Sequence, residues 1–403
     1  MMIEGCGEYC FEEGEQMILQ SRRVWVLNDW MEVQIEISSE SGRIEGIYPF
    51  GTFVPDMDFG DLRLVPGFID VHTHGAYGFD TNDAKDQGLK EWLEKVLEEG
   101  VTGILPTTIT QSEEVLTKAL QNVAEVARQQ REDPESVPGS QILGIHFEGP
   151  YLDRTFKGAQ PDQFCVKPDV EQFKRYYAAS EGLIRIVTLA CEHDEGYQLT
   201  RYLNELGIVV SLGHSSATYA QAAMAFANGA RSVTHTYNGM APFHHREPGI
   251  PGAAFSFGNV FGEIICDGLH STWGAVRSFF TNKGPDYGVM ITDSLCVKGL
   301  PAGTRVLFGG NPIELYEDGS AHLLASGNLA GSTLKINEGL RNLVEKACLP
   351  WQTAINSCTL NPARLIGMDT SKGSLQTGKD ADIVVLRDDY SVEAVFIGGR
   401  KRI

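Results

Sequence analysis

The chain has 403 residues, with 33 Lys and Arg against 53 Asp and Glu, which gives a formal net charge of −20. Hydrophobic residues make up 42% of the chain and charged residues 21%, a composition that supports a large core and excludes wholesale disorder. The acidic balance argues against nucleic acid as a partner, because phosphate backbones are bound by clustered Lys and Arg. The length predicts two or three domains, or one α/β barrel with an accessory domain.

The first residues, MMIEGCGEYCFEEGEQ, contain neither the basic start nor the apolar run of a secretory signal. No stretch approaches 18 consecutive apolar residues, so we expect a cytoplasmic protein without a membrane span. The eight cysteines include no Cys-x-x-Cys pair, and we expect most of them to be reduced thiols. Cys6 and Cys10 could form a local redox or metal pair, although a solvated terminus is the simpler interpretation.

Short stretches of alternating character occupy residues 17–65 and return near the C-terminus. They are RRVWVLND, MEVQIEIS and GRIEGIYPF at one end, and ADIVVLRDD and SVEAVFIGGRKRI at the other. Such alternation is typical of strands with one buried face. We therefore predict a small, discontinuous β-sandwich domain built from both termini, from residues 1–64 and 369–403.

Between these ends, eight apolar runs stop abruptly at polar or turn residues. They are LRLVPGFIDVHTHG, VTGILPTTIT, QILGIHFEGP, LIRIVTLACE, IVVSLGHSS, SVTHTYN, GEIICDGLH and YGVMITDS. Helical patterns separate several runs, most clearly from Ser112 to Gln130, where apolar residues recur every three or four positions. Residues 330–367 are also helical in character. Eight buried strands alternating with helices predict a (β/α)8 TIM-like barrel over residues 65–368.

Residues that can bind a metal or transfer a proton follow six of these runs. They are His72 and His74, Glu148, His214, His235, His270 and Asp293. The active site of such a barrel lies at the carboxyl ends of its strands, where these residues fall. His72 and His74 point the same way because side chains alternate faces along a strand. Imidazole and carboxylate ligands suit zinc, iron, manganese or cobalt, and the sequence does not distinguish these ions.

Each of these residues also has an ordinary structural explanation. A single His-Thr-His is more often a satisfied strand end than a pair of ligands, and Glu148 alone could be a solvated carboxylate. Asp293 could cap the next helix, and His214 could belong to a turn. Packing alone does not explain seven such residues at the ends of six different strands. Their coincidence predicts a divalent metal site.

The motifs PGFIDVHTHG, HFEGPYL, GHSSAT, VTHTYNGMAPFHHREPG, DGLH, ITDS and LAGS follow in this order, with GKDADIVVL near the end. Together they resemble the N-acetylglucosamine-6-phosphate deacetylases of the amidohydrolase superfamily, over residues 60–400. The most specific element is HTYNGM followed by REPG, because the superfamily at large shares the metal histidines but not that loop. The resemblance implies metal-dependent hydrolysis of N-acetylglucosamine 6-phosphate to glucosamine 6-phosphate and acetate.

The resemblance also implies roles for individual residues. The principal metal ligands would be Glu148, His214 and His235. Asp293 would be the general acid/base, which takes a proton from the metal-activated water and delivers it to the leaving nitrogen. Family members vary at the pair that matches His72 and His74. Because both are present here, one or two divalent ions per subunit are expected, with Asp293 contributing to the second.

A further set of residues matches the positions that contact substrate in the family. They are Ala159, Gln160, Asn238, Gly239, Arg246, His270, Leu329, Ala330 and Gly331. Arg246 and His270 would bind the phosphate of the sugar. Some family members have a histidine where this chain has Gln160, which keeps a hydrogen-bond donor but not a titratable group. In resembling proteins the arginine that matches Arg246 reaches the neighbouring active site, which implies a homodimer.

Three alternatives remain at this stage. N-acetylgalactosamine 6-phosphate differs from the glucosamine substrate at one hydroxyl, and spacing does not place the residues that would read it. A cyclic-amide hydrolase of the dihydroorotase or hydantoinase kind usually bridges two metals with a modified lysine, a role that falls to Glu148 here. A catalytically inactive scaffold could lose its metal residues or its acid, and this chain keeps them all.

Overall fold

A computed structural model describes residues 16–403; Cys6 and Cys10 lie outside the described residues. The first strands are β1 (Gln16–Val26), β2 (Asp29–Ser38), β3 (Ile44–Pro49), β4 (Met57–Asp58) and β5 (Arg63–Pro66). Apolar side chains such as Val33, Ile35 and Ile37 are buried at alternate positions of β2, as its pattern predicts.

Eleven strands follow in the central part of the described chain. They are β6 (Phe68–Thr73), β7 (Gly75–Ala76), β8 (Phe79–Asp80), β9 (Val101–Thr108), β10 (Gln141–Ile142), β11 (Ile145–Glu148), β12 (Ile184–Leu189), β13 (Val209–Leu212), β14 (Ser232–Val233), β15 (Gly262–Ile265) and β16 (Gly288–Ile291). The last six are β17 (Arg305–Phe308), β18 (Asn311–Leu315), β19 (Ala321–Leu323), β20 (Ile383–Leu386), β21 (Val392–Ile397) and β22 (Arg400–Lys401).

Eight of these strands run parallel around the barrel, in the chain order β6, β9, β11, β12, β13, β14, β15 and β16. Two backbone hydrogen bonds, from Val233 to Phe261 at 3.1 Å and from Thr236 to Glu263 at 2.7 Å, join the β14 and β15 segments. The barrel closes where the Asp293 N–H donates to the His72 carbonyl at 2.9 Å. The predicted barrel is therefore confirmed, and its closure brings the first and last strands together at the residues predicted to carry chemistry.

Ten α-helices are found within residues 16–403. They are α1 (Asp86–Lys95), α2 (Glu113–Glu132), α3 (Val170–Ala179), α4 (Gln198–Glu205), α5 (Tyr219–Ala227), α6 (Gly249–Ser256), α7 (Trp273–Tyr287), α8 (Ile336–Glu345), α9 (Trp351–Cys358) and α10 (Leu360–Leu365). Short 3-10 helices span Thr81–Asp83, Val96–Glu99, Asp162–Phe164, Cys191–His193 and Glu195–Tyr197. Helix α2 matches the predicted periodic segment and starts at an N-cap, where the Ser112 side chain accepts from the Val115 N–H.

Strands from both ends of the chain form one sheet, in the order β22-β21-β20-β5-β1-β2-β3, with β4 paired to β1. The join between the two ends is antiparallel, and it sets Val384 of β20 opposite Val65 of β5. This sheet has a core of its own, which includes Leu19, Ile35 and Phe396. A separate β domain is thus built from both ends of the described chain, as predicted, with its strands in one continuous sheet.

A three-stranded antiparallel sheet, β17-β18-β19, lies between the last barrel strand and α8 and was not predicted from the sequence. Its apolar side chains pack with Ile109, Leu295 and Val297. Phe308 of β17 stands edge-on to the His74 ring, with centroids 5.3 Å apart. This small sheet therefore covers part of the barrel mouth. Among the described helices, none combines the length and apolar character needed to cross a membrane.

Candidate metal centre

Six of the predicted residues converge at the carboxyl end of the barrel. They are His72 and His74 of β6, Glu148 of β11, His214 after β13, His235 after β14, and Asp293 after β16. All six are buried. Glu148 lies at the centre: its Oε1 is 3.4 Å from His214 Nε2 and 3.3 Å from His235 Nε2. Its Oε2 is 3.2 Å from His74 Nε2.

The six side chains form two ligand groups. The first ligand group is Glu148, His214 and His235, and the second ligand group is His72, His74 and Asp293. In each group the candidate ligand atoms lie within 4.8 Å of one another. Asp293 Oδ1 is 3.5 Å from His72 Nε2 and 3.2 Å from His74 Nε2. Because the Glu148 carboxylate also faces the second ligand group, it can be shared between two ions.

Every histidine in the two groups has an acceptor at Nδ1. His74 donates to the Thr107 carbonyl at 3.2 Å, His214 to the Phe156 carbonyl at 2.8 Å and His235 to the Asn238 carbonyl at 3.0 Å. A carbonyl can only accept, so Nδ1 carries the proton and Nε2 of the neutral ring carries a lone pair. This is the arrangement that fixes a histidine as a metal ligand.

The contact between His214 and His235 tests whether the residues fit a cation. Their Nε2 atoms are 3.1 Å apart, and in the neutral tautomers both present lone pairs. Two lone pairs at that distance repel each other unless a cation attracts both. His72 Nε2 and Glu148 Oε1 are, in addition, buried atoms without a hydrogen-bond partner in the described structure. The donor set therefore fits a divalent metal such as zinc, iron, manganese or cobalt.

The two carboxylates of the centre are held in their ionised form. Burial raises the pKa of the Asp293 carboxyl. In the metal-free chain, where His72 and His74 can be protonated, the hydrogen bond from His74 and the charges of both rings outweigh burial and lower that pKa to about 2. Burial also opposes ionisation of Glu148, and the surrounding histidines hold the pKa of that carboxyl well below its ordinary value. Asp293 is therefore available as a base at neutral pH.

Three residues of the centre have left-handed backbone conformations although they are not glycines. The φ angles are 47° at His214, 26° at His235 and 49° at Asp293. L-residues avoid this region, and such conformations concentrate where a site requires a particular side-chain direction. All three residues follow the end of a barrel strand. The chain turns sharply there and directs each side chain into the mouth of the barrel.

The sequence model of the Amidohydrolase family matches residues 63–402. The chain belongs to the amidohydrolase family. The N-acetylglucosamine-6-phosphate deacetylase of Bacillus subtilis (strain 168) is 41% identical over 332 residues, 82% of each chain. The N-acetylgalactosamine-6-phosphate deacetylase of Escherichia coli O157:H7 is 35% identical, over 95% of this chain and 98% of the relative. A mutant N-acetyl-D-glucosamine-6-phosphate deacetylase from Mycobacterium smegmatis, solved in complex with N-acetyl-D-glucosamine-6-phosphate, superposes with a TM-score of 0.89 at 30% identity, over 97% of this chain and 100% of that chain.

Gln160 and Asn238 of this amidohydrolase lie beside the metal ligands. The Gln160 side chain donates to Glu148 Oε2 at 2.7 Å and accepts from the Thr110 N–H, also at 2.7 Å, so both ends of its amide are engaged. Asn238 Nδ2 is buried and has no acceptor among the described residues. Of these two side chains, Asn238 therefore has the unused donor.

Glycine at position 239 permits a close approach between the 238–240 loop and two ligand histidines. Its φ is 61°, and a Cβ added there would lie 2.8 Å from His214 Nδ1 and 3.2 Å from His235 Cε1. A side chain at this position would therefore displace the ligand rings. Ala159 lies in the neighbouring loop, where its carbonyl accepts from Asn311 at 2.9 Å.

His270 and Gly331 of the amidohydrolase line one cavity of about 210 Å³. His270 lies five residues beyond the end of β15, and its Nδ1 contacts Asp267 Oδ2 at 2.7 Å. Ala330 is buried, and Leu329 and Gly331 flank it. Next in the chain, the Ser332 N–H donates to the Asp293 carbonyl at 2.7 Å. The 329–331 segment and His270 therefore both lie close to the metal centre.

Arg246 lies apart from these residues on an exposed loop. Its backbone N–H donates to His244 Nδ1 at 3.4 Å, and within residues 16–403 its guanidinium forms no salt bridge. Among the described residues, no hydrogen bond or salt bridge therefore joins the Arg246 side chain to the metal ligands. The prediction that it serves a neighbouring subunit stays a prediction.

Glu263 was not among the residues predicted from the sequence. It is fully buried on β15 and contacts His72 Nδ1 at 2.9 Å. An available signal was a glutamate inside the otherwise apolar run GEIIC, because buried glutamates are rare unless they have a partner. His146 also lies beneath the ligands, but it is not one of them. Its Nδ1 is bonded to the Val71 carbonyl at 2.9 Å and its Nε2 to Thr188 Oγ1 at 2.8 Å.

Proposed function

We propose that this amidohydrolase hydrolyses the acetamide of N-acetyl-D-glucosamine 6-phosphate, giving glucosamine 6-phosphate and acetate. The observation that carries the proposal is the convergence of the two ligand groups on Glu148 in a chain that is 41% identical to a deacetylase named for this sugar. N-acetylgalactosamine 6-phosphate is the second candidate substrate, favoured by the 35% identity to a relative named for that sugar.

In this proposal Glu148, His214 and His235 hold the principal metal ion, and His72, His74 and Asp293 hold a second. A divalent ion bound there supplies an acidified water and a Lewis acid for the acetyl oxygen. Support comes from the Nδ1 hydrogen bonds that aim Nε2 of His74, His214 and His235 at the centre. The imidazole and carboxylate ligands suit zinc, iron, manganese and cobalt.

Asp293 is the proposed general acid and base. Its carboxylate takes the proton of the attacking water and returns it to the sugar nitrogen as the C–N bond breaks. The ionised state of the carboxyl at neutral pH supports the first of these steps. Gln160 positions Glu148 through the 2.7 Å hydrogen bond, and Asn238 is assigned to the substrate because its buried Nδ2 is a donor without a partner among the described residues.

The proposed phosphate site needs a cation that the single chain does not bring there. The cavity beside His270 is lined by the carboxylates of Asp267, Asp318 and Glu338, and its lining among the described residues contains no lysine or arginine. A sugar phosphate at His270 therefore favours an arginine from outside the subunit. We assign this role to Arg246 of a second copy, which makes the enzyme a homodimer with Ala159, Gly239 and residues 329–331 around the sugar.

The proposed compartment is the cytoplasm. The six described cysteines, Cys165, Cys191, Cys266, Cys296, Cys348 and Cys358, are free thiols. A reducing compartment maintains thiols in this state.

Acetate release from three sugars tests the substrate assignment. The panel is N-acetylglucosamine 6-phosphate, N-acetylgalactosamine 6-phosphate and N-acetylglucosamine without phosphate. We expect the first sugar to give the largest kcat/KM and the unphosphorylated sugar to lose most of it, because Arg246 and His270 would then bind nothing. Equal kcat/KM with and without the phosphate would remove both residues from their proposed role.

The substitution Asp293→Asn tests the proton transfer. The amide cannot accept the proton of water, so we expect kcat to fall by about 10²–10⁴, the range that general acid-base catalysis contributes. The ion held by the first ligand group should stay bound, which metal analysis of the purified variant would measure. A kcat within threefold of the unmodified enzyme would refute the role of Asp293.

A further inference from the structure

Glu263 is a fully buried carboxylate that the proposed reaction does not use. It lies on β15, where its backbone carbonyl accepts from the Thr236 N–H at 2.7 Å and its residue pairs with Val289 of β16. Its side-chain Oε2 contacts His72 Nδ1 at 2.9 Å. The other oxygen, Oε1, has no partner among the described residues. Such a group is costly to bury and calls for an explanation beyond packing.

The contact to Glu263 sets His72 apart from the other three ligand histidines. His74, His214 and His235 donate from Nδ1 to neutral backbone carbonyls. His72 alone among these four donates to a carboxylate. A carboxylate makes the imidazole more basic than a carbonyl does and so strengthens the bond from Nε2 to a metal.

His146 does not turn this contact into a third metal site. One candidate ligand atom from each of His72, His146 and Glu263 lies within 4.8 Å of the other two, which is a spacing that could hold a metal ion. Both His146 nitrogens are already bonded, however, to Val71 and Thr188. The Glu263 carboxylate therefore faces a histidine ligand and not an ion of its own.

The contacts of Glu263 indicate which ion it supports. Its side-chain partner among the described residues is His72, a member of the second ligand group. His214 and His235 of the first ligand group donate from Nδ1 to the Phe156 and Asn238 carbonyls instead. An effect of Glu263 on metal binding should therefore fall on the second ligand group.

We infer that Glu263 is the positioning residue of the second ligand group: by accepting the Nδ1 proton of His72, it makes that group hold a divalent metal ion. This inference rests on the proposed function only in its assignment of a metal to the barrel mouth. Glu263 touches neither the substrate nor the ion. It acts through His72, so its effect is confined to the second ion.

The test is a titration of the metal-free enzyme with Co²⁺, followed by visible absorption and by metal analysis, for the unmodified chain, Glu263→Gln and Glu263→Leu. We expect two ions in the unmodified enzyme. In both variants the second ion should bind about 10–100-fold more weakly, as for other partners of metal-bound histidines, and the first should change less than threefold. The first ion is the internal control for folding.

A double-mutant cycle shows whether Glu263 acts through His72. His72→Gln should weaken the second ion, and His72→Gln combined with Glu263→Gln should weaken it no further. Additive losses in the cycle would overturn the inference, as would unchanged binding of the second ion in Glu263→Gln and Glu263→Leu. Equal weakening of both ions would assign Glu263 a structural role only. An unmodified enzyme that binds a single ion also overturns the inference but leaves the proposed hydrolysis at the first ligand group standing. An enzyme that binds no ion refutes both.

Discussion

Replacing Gly239 by alanine should weaken the metal centre without touching a ligand. An added Cβ would lie 2.8 Å from His214 Nδ1 and 3.0 Å from His214 Cε1, so the ring or the loop must move by about 0.6 Å to reach an ordinary contact of 3.4 Å. The ring cannot turn away freely, because the same Nδ1 donates to the Phe156 carbonyl at 2.8 Å. Losing the hydrogen-bond support of a ligand histidine typically costs 10–100-fold in metal affinity, and we expect a loss in that range.

The backbone contribution is separated by Gly60→Ala. Gly60 has a φ of 57°, close to the 61° of Gly239, but an added Cβ there has nothing within 4 Å. Both variants should lose about 1 kcal/mol of stability from a left-handed alanine. Competition with a fluorescent chelator measures the metal affinity, and calorimetry measures the stability. If Gly239→Ala bound its metal as tightly as Gly60→Ala, the close approach to His214 would have no functional consequence.

Two buried lysines give further predictions. Lys298→Met should reduce the free energy of unfolding by about 3–5 kcal/mol, because Glu99, 2.9 Å from Lys298 and 1% exposed, would keep an uncompensated charge. Urea unfolding measures this loss, and adding Glu99→Gln should recover much of it. A double variant as unstable as Lys298→Met would contradict the pairing. Burial lowers the pKa of Lys283 to about 8 from 10.5, so between these values the native state binds fewer protons than the unfolded state and stability rises with pH. The free energy of unfolding should rise by on the order of 3 kcal/mol at most from this cause. Urea unfolding at pH 8 and pH 10 measures the rise, and Lys283→Met should lack it.

The candidate ligands at the ends of the barrel strands could be predicted from the sequence because two regularities coincide there. Side chains alternate along a strand, so His72 and His74 had to face one way, and parallel strands present all their carboxyl ends at one rim. The motifs also indicated a resemblance to the N-acetylglucosamine-6-phosphate deacetylases, which is confirmed. The spacing of the candidate ligands alone does not indicate that family. The terminal β domain was readable for a similar reason, since its alternating stretches recur at both ends of the chain.

Contacts between residues that only the folded barrel brings together could not be predicted from the sequence. Glu263 meets His72 only because closure of the barrel brings β15 and β6 to one interior, 191 residues apart in sequence. The hydrogen bond from Gln160 to Glu148 depends on how the 149–160 loop folds back, which no pattern along the chain shows. The β17-β18-β19 sheet has strands of only three to five residues, too short for a period-two pattern to distinguish from loop.

The net charge of −20 does not oppose an anionic substrate as strongly as its size implies. At physiological ionic strength, charges more than about 8 Å away are largely screened, so the groups at the barrel mouth decide the local potential. There the chain itself supplies mainly carboxylates: Asp267, Asp318 and Glu338 line the cavity beside His270, and Glu148 and Asp293 lie in the centre. Cations from outside the chain would therefore favour the entry of a sugar phosphate into such a mouth. Metal ions held by the two ligand groups supply that charge at the acetamide, and the exposed Arg246 of a second copy is the candidate to supply it at the phosphate.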